Sequence, residues 1–141
     1  MSGDGSFHGA KLFLFVGSEL AVIRRDDIPT IPWPGLLDLP GGGRDGGETA
    51  EACVIRETFE ELGLRIKAHQ LTWRCRDRNG VYFAAHLPAG AERDIVFGNE
   101  GQGWHMMATD TYLTRPDVIP HHTQLLRRYL SSEQAVSKRL G

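Results

Sequence analysis

The order of apolar and polar positions predicts a chain that mixes short strands with two helices. Apolar runs at residues 11–16 and 20–25 flank a Gly-Ser-Glu turn and predict a strand hairpin. A second hairpin is predicted for residues 67–76 and 80–88, because the Asn-Gly pair between them favours a tight turn. Further predicted elements are strands at residues 36–40, 94–97 and 103–108, a glycine-rich loop at 41–47 and a closing helix at 120–132.

The most regular segment is a helix predicted over residues 49–62. Gly63 follows it and is expected to end the helix in the left-handed conformation that glycine adopts most easily. Ile55, Phe59 and Leu62 fall on one side of this helix, at about 100° per residue. These three side chains are therefore predicted to form its buried stripe.

Length and composition indicate one globular domain. The chain has 141 residues, of which 40% are hydrophobic and 24% charged. No repeat or low-complexity tract divides it. We expect a flexible N-terminus over residues 1–9 and a single α/β domain over residues 10–141, acting as a monomer or a homodimer.

Charge and the absence of targeting signals narrow the class of protein. The net charge of −2 and the lack of a basic patch argue against binding to duplex nucleic acid, but not against a nucleotide substrate. No apolar run approaches the ~18 residues of a membrane span, and the N-terminus has no signal-peptide pattern. Cys53 and Cys75 have no zinc-type spacing. We therefore expect a cytoplasmic protein with no membrane partner.

Three glutamates crowd the last turns of the predicted helix, where carboxylates are unfavourable. Glu57 and Glu61 form an i,i+4 pair of like charges, which costs about 0.2–0.5 kcal/mol. Glu60 and Glu61 lie near the C-terminal end, where the helix dipole favours cations. Arg56 can pair with Glu60 and relieve part of this repulsion. The residues alone leave two interpretations open: an acidic face in solvent, or a site for a hard cation such as Mg²⁺ or Mn²⁺.

The stretch from residue 42 to residue 64 has a characteristic spacing of glycine, glutamate and arginine. Its fixed positions are Gly42, Glu48, Arg56, Glu57, Glu60, Glu61, Gly63 and Leu64. With this spacing the chain resembles the Nudix hydrolase superfamily, with Thr58 where an aliphatic residue is usual. The "LPGG" that precedes it is typical of that superfamily. The "NEGQGW" at residues 99–104 is similar to its branch acting on oxidised purine nucleotides.

The resemblance implies a mixed β-sheet sandwiched between α-helices, and an enzyme that hydrolyses a pyrophosphate bond in nucleoside diphosphate-linked compounds. It implies Mg²⁺ as the cofactor, with Mn²⁺ as the alternative ion. The metal ligands that it implies are Glu57, Glu60, Glu61, Glu100 and the backbone carbonyl of Gly42 or of its neighbour Gly41. The catalytic residues that it implies are Glu57 as general base, with Glu100 as its rival, together with Arg56 and Glu60.

The expected substrate is a nucleoside triphosphate, oxidised or not. Asn79 and Gly80 stand where a proline is associated with ADP-ribose hydrolysis, and the aromatic-proline motif of the NADH branch is absent. A nucleotide sugar is the alternative substrate. A non-catalytic Nudix sensor is the alternative function, although such a protein would be expected to lose signature carboxylates and none is lost here.

Four residues are candidates for substrate binding. Arg24 ends a predicted strand and either holds a phosphate or is a solvated charge. Gly41 brings its backbone close to the substrate. Trp33, in the proline-rich loop at residues 26–35, and His121, beside the closing helix, are candidates to stack on a base. For His121, a plain helix-start role is the alternative.

Overall fold

The computed structural model of the chain describes residues 5–140, and side chains over residues 5–133. Within that part of the chain there are seven strands and three α-helices. The strands are β1 (Gly9–Val16), β2 (Glu19–Arg24), β3 (Leu37–Asp38), β4 (Gly41–Gly43), β5 (Trp73–Asp77), β6 (Gly80–Leu87) and β7 (Gly103–Ala108). The helices are α1 (Ala50–Leu62), α2 (Thr109–Thr114) and α3 (Pro120–Leu140). Two short 3₁₀ helices lie at Ala68–Gln70 and Ala89–Asp94.

The strands form one mixed sheet in the order β3-β2-β1-β6-β5. β4 pairs with β1, and β7 pairs with the outer side of β2. The β1–β6 pair is parallel and the other pairs are antiparallel. Both predicted hairpins are present, and the strand predicted at residues 103–108 has the predicted bounds. The first arm of the second hairpin is shorter than predicted, because β5 begins at Trp73 and Ala68–Gln70 form a 3₁₀ helix.

The central strand β1 is buried on both faces, which explains its unbroken apolar sequence. Leu12 and Leu14 pack in a core cluster with α1, whereas Phe13 and Phe15 pack on the opposite face in a cluster with α2 and α3. Side chains alternate between the faces of a strand, so one apolar run supplies both cores. The predicted α/β sandwich is confirmed.

Helix α1 has the predicted bounds but a different buried face. Thr49 caps its first turn, and Gly63 ends it with a φ of 69°. Phe59 is 39% exposed under the guanidinium of Arg65, so the predicted stripe is wrong at this position. Leu62 is buried as predicted, and Ile55 is partly buried and packs against the core. The residues that contact the sheet instead are mostly small, which lets the helix approach β1 and β4 closely: Ala50, Cys53, Val54, Thr58 and Leu62.

Three other predictions need correction. The glycine-rich stretch is not all loop, because Gly41–Gly43 pairs with β1 as β4. Residues 94–97 form no strand, for a reason described with the site below. The N-terminal boundary lies earlier than predicted, since Phe7 is buried in the core and Gly9 begins β1. Residues 1–4 lie outside the described residues. Among the described residues, no helix is both long and apolar enough to cross a membrane.

Gly63→Ala is expected to lower the free energy of unfolding by about 1 kcal/mol or more. The φ of 69° is strained for alanine, and an added Cβ would meet the Val96 side chain at 3.1 Å. Urea denaturation measures the change. Gly47→Ala is the matched control, because nothing lies within 4 Å of a Cβ there. Equal losses in the two variants would contradict the assignment of Gly63 as the helix cap.

Candidate active site

A cavity of about 620 Å³ opens where β1 and β4 meet the C-terminal half of α1. Its acidic wall carries Glu57, Glu61 and Glu100. Its basic side chains include Lys11 and Arg25, which come from β1 and the end of β2. The cleft therefore has carboxylates and cations in the same wall.

The four predicted carboxylates are brought together beside this cleft. Glu57, Glu60, Glu61 and Glu100 line an adjoining cavity of about 310 Å³, with Asn99 completing its wall. Every one of these side chains offers oxygen atoms. Three of the carboxylates come from the last turns of α1, and the fourth comes from a distant part of the chain.

Burial and crowding disfavour the charged form of two of these carboxylates. Burial raises the pKa of Glu61 to about 7, and the nearby charges of Asp38 and Glu57 act in the same direction. Burial also raises the pKa of Glu57, against the opposing effect of Arg56. Glu61 Oε1 accepts a hydrogen bond of 2.7 Å from the Gly41 N–H. Placing negative charge here has a cost that a bound cation would offset.

Arg56 holds the acidic cluster in place. Its guanidinium donates to both oxygens of Glu48, at 2.7 and 2.9 Å. Nη1 also donates to Glu57 at 3.0 Å and to Glu60 at 3.2 Å, and Nη2 donates to the Gly43 carbonyl at 3.0 Å. The hydrogen bonds from Arg56 lower the pKa of Glu48 to about 2. Glu48 therefore serves as a permanent anion that orients Arg56.

Glu100 reaches the cluster because the preceding segment caps the C-terminus of α1. The Val96 N–H donates to the Leu62 carbonyl at 2.9 Å, and the Gly98 N–H donates to the Glu61 carbonyl at 2.8 Å. Backbone groups that bond to the helix end cannot also pair in a sheet, so residues 94–97 form no strand. A Cβ at position 98 would collide with the Glu60 carbonyl oxygen. The sequence analysis did not identify Gly98, although a glycine just before "NEGQGW" was the available signal.

The carbonyls of the two candidate glycines have different surroundings. The Gly42 carbonyl lies against Gly9 of β1 and accepts a contact of 3.5 Å from the buried Cys53 thiol, so it faces the interior. The Gly42 carbonyl is therefore not placed as a metal ligand. The Gly41 carbonyl lies 3.4 Å from Nζ of Lys11, at the cleft. Because neighbouring carbonyls point to opposite sides of a strand, only one of the two can face the acids.

Arg24 is not in the cleft. Its Nη1 donates to Asp117 at 2.9 Å and to the Gly35 carbonyl at 3.0 Å. The next residue, Arg25, lines the cleft instead, and so does Lys11, which the sequence analysis did not consider. The structure thus places Arg25 rather than Arg24 at the cleft, since adjacent strand positions face opposite sides of the sheet.

The two aromatic candidates meet in a side pocket of about 200 Å³ that shares Lys11 and Arg25 with the cleft. The rings of Trp33 and His121 have centroids 6.1 Å apart, and Tyr82 lies 6.5 Å from His121. Trp33 is 43% exposed, so one face of its ring is available to a ligand. The structure thus places Trp33 and His121 together, next to the cations of the cleft.

Comparison with known families agrees with this arrangement. The model of the NUDIX domain matches residues 9–129, which is most of the chain. The chain belongs to the NUDIX domain family. The Nudix signature is the segment that carries α1 and its carboxylates.

Two curated relatives show how varied Nudix proteins are. The NAD-capped RNA hydrolase NudC of Chromobacterium violaceum is 32% identical over 92 residues, covering 62% of this chain and 35% of that protein. The ADP-ribose pyrophosphatase of Methanocaldococcus jannaschii is 38% identical over 80 residues, covering 56% of this chain and 43% of that protein. The matched region thus spans less than half the length of each relative.

A solved structure confirms the Nudix architecture. The Ap4A hydrolase of C. elegans, in a binary complex, superposes with a TM-score of 0.67 at 22% identity. The match covers 90% of this chain and 97% of that one. At this identity the likeness concerns the fold.

The Nudix carboxylates suit a divalent metal by their chemistry. Carboxylate oxygens are the ligands that Mg²⁺ and Mn²⁺ prefer, and four carboxylates face one cavity. Among the described residues, however, no three acidic, histidine or cysteine side chains lie close enough together to enclose an ion. Arg56 occupies Glu57 and Glu60 instead. A closed ligand shell would require the carboxylates to lie closer together.

Glu61 is expected to make the metal-free protein less stable as the pH rises. The unfolded chain releases the Glu61 proton near pH 4.5, whereas the folded protein keeps it to about pH 7. Across that window the free energy of unfolding falls, by at most about 1.4 kcal/mol per pH unit. Glu61→Gln, which stays neutral, is expected to reduce the fall. Urea denaturation in EDTA across these pH values measures it.

Glu60→Gln is the matched control, because the Glu60 side chain is 55% exposed and lies one position away. It is expected to keep the pH dependence of the wild-type protein. An unchanged slope in Glu61→Gln would show that burial of Glu61 does not cause the effect.

Proposed function

We propose that this Nudix protein is a metal-dependent enzyme that hydrolyses a pyrophosphate bond in a nucleoside diphosphate-linked compound. The observation that carries the proposal is the gathering of Glu57, Glu60, Glu61 and Glu100 around one cavity that opens beside the cleft. Glu57, Glu60 and Glu61 lie near the end of α1 where the helix dipole disfavours negative charge, and burial raises the pKa of Glu57 and Glu61. A bound cation would offset both costs.

Mg²⁺, or Mn²⁺ as the alternative ion, is the proposed cofactor, held by the same four carboxylates. When bound, such an ion neutralises phosphate charge and makes water a better nucleophile. Glu57 is the proposed general base. Its Oε1 accepts from Arg56, which leaves Oε2 as the one oxygen for the metal or for the proton of the attacking water, and Glu100 is the rival base. Arg56 and Glu60 complete the proposed catalytic group, with Arg56 fixing the orientation of both carboxylates.

The proposed substrate is a nucleoside triphosphate, oxidised or not. The cleft and the side pocket share the two cations Lys11 and Arg25, so a polyphosphate chain and an attached base can occupy adjacent sites. Trp33 and His121 are proposed to stack on the base. The backbone of Gly41 is proposed to approach the phosphates. The two curated relatives are named for different compounds, one as a hydrolase of NAD-capped RNA and the other as a pyrophosphatase of ADP-ribose.

Glu61→Gln is expected to lower kcat by about 100-fold or more, because removing a metal ligand forfeits several kcal/mol of transition-state stabilisation. The measurement is phosphate and pyrophosphate release with Mg²⁺ on a panel of nucleoside triphosphates, oxidised purine triphosphates and nucleotide sugars. Glu51→Gln is the matched control, because Glu51 lies on the same helix but pairs with Arg74 outside the cleft.

Each outcome of this assay decides one point. Turnover of triphosphates that is lost in Glu61→Gln and retained in Glu51→Gln supports the proposal. Turnover confined to nucleotide sugars would overturn the substrate while supporting the chemistry. Mg²⁺ binding by a folded wild-type protein with no turnover would favour a nucleotide sensor.

Trp33→Leu is expected to raise KM for the best substrate about fivefold or more while leaving kcat nearly unchanged, since base stacking is worth about 1–3 kcal/mol. Trp33→Tyr retains a stacking ring and is expected to keep most of the affinity. Steady-state kinetics on the three proteins test this. A KM for Trp33→Leu equal to that of the wild type would exclude Trp33 from the base site.

A further inference from the structure

Two cations of the cleft are held by one buried carboxylate. Asp38, at the end of β3, is only 4% exposed. Its Oδ2 accepts from Lys11 Nζ at 2.9 Å and from Arg25 Nη1 at 2.8 Å. Its Oδ1 accepts from the Leu39 N–H at 2.7 Å. Because both cations bond to the same oxygen atom, Lys11 and Arg25 are neighbours in space, although they come from different strands.

The charges in this cluster do not cancel. Asp38 carries one negative charge, and Lys11 and Arg25 carry two positive charges. The neighbouring His122 is buried, and burial lowers its pKa to about 3, so it is neutral at pH 7. Its Nδ1 lies 3.8 Å from Asp38 Oδ1, too far for a hydrogen bond. Asp38 therefore balances only one of the two positive charges. The second acts on the acidic wall of the cleft, where the charge of Lys11 lowers the pKa of Glu61 against the effect of burial.

Both cations extend from the buried carboxylate to the cavity. The side chains of Lys11 and Arg25 are 23% and 25% exposed, and both line the main cleft and the side pocket. Lys11 Nζ also lies 3.4 Å from the Gly41 carbonyl, and the Gly41 N–H bonds to Glu61. A single peptide unit thus separates Lys11 from the acidic cluster.

A purely structural role explains this cluster poorly. A buried carboxylate needs one cation to neutralise it, and the desolvation of each further charge costs free energy that an ion pair does not always return. The second cation at Asp38 adds this cost. A polyanion that enters the cleft could bond to these two cations, and the fixed positions of the two side chains would lower the entropy cost of binding it.

We propose that Lys11 contacts the phosphate chain of the substrate next to the metal site, and that Asp38 is a positioning residue that holds Lys11 and Arg25 for this contact. The ligand chemistry is a pyrophosphate or longer polyphosphate. The identification of this polyphosphate as part of the substrate rests on the proposed function. The cluster is separate from the signature carboxylates, so Lys11 and Asp38 can be changed without removing a metal ligand.

The test uses imidodiphosphate, a pyrophosphate analogue that resists hydrolysis, and isothermal titration calorimetry on the full chain with Mg²⁺. Lys11→Gln is expected to weaken binding about tenfold or more, the effect of losing one charge-assisted hydrogen bond. Lys11→Arg is expected to restore most of the affinity. Lys67→Gln is the matched control, because it removes the same charge from an exposed lysine that lines none of the described cavities.

Asp38 is tested through its dependence on Lys11. Asp38→Asn is expected to weaken imidodiphosphate binding in the wild-type background and to have much less effect in the Lys11→Gln background. Circular dichroism and urea denaturation confirm that each variant is folded. Should Asp38→Asn fail to fold, the comparison among Lys11→Gln, Lys11→Arg and Lys67→Gln still decides the role of Lys11.

Several results would overturn the inference. They are wild-type affinity in Lys11→Gln, an equal loss in Lys67→Gln, no recovery in Lys11→Arg, and no imidodiphosphate binding by the wild type. A different result would contradict the proposed function. In that case the wild-type protein would hydrolyse no nucleotide in the panel, whatever its affinity for imidodiphosphate. In a protein that does hydrolyse nucleotides, Lys11→Gln is expected to raise KM more than it lowers kcat.

Discussion

The close approach of α1 to the central strands is the constraint on which the site depends. Small residues on the buried face of the helix and glycines in β4 let the two backbones come together, so that the Gly41 N–H can bond to Glu61. The same approach places the Gly43 carbonyl within reach of Arg56. A bulkier contact would separate the carboxylates from the sheet that supplies the opposing cations. The packing that stabilises the fold therefore also assembles the acidic half of the cleft.

The cleft holds two charged groups that are fixed by different means. The carboxylates are oriented by Arg56, which is itself anchored by Glu48, and by backbone groups at the end of α1. The cations Lys11 and Arg25 are anchored by the buried carboxylate of Asp38. In the proposed function, these two networks would let a metal and a polyphosphate be bound by different side chains.

The sequence predicted the elements with strong local signals and missed those that depend on distant contacts. The bounds of α1 followed from a capping threonine and a terminal glycine, and β7 from a short apolar run. Phe59 was misplaced because helical periodicity does not reveal that Arg65 covers an exposed ring. Residues 94–97 have strand-like composition, but their backbone bonds to the end of α1 instead. Arg24 was chosen over its neighbour because the sequence alone does not show which face of β2 meets the cleft.

The sequence by itself determined the family, the sandwich of helices and sheet, and the set of carboxylates, because these depend on residue type at fixed spacing within one segment. Only the tertiary structure decided which cation faces the cleft, which glycine carbonyl points towards the acids, and how Glu100 joins them. Each of these depends on strand orientation or on contacts between residues far apart in the chain. Asp38 shows the difference most clearly: in the sequence it is one aspartate in a short strand, and in the fold it joins Lys11 and Arg25 at one oxygen atom.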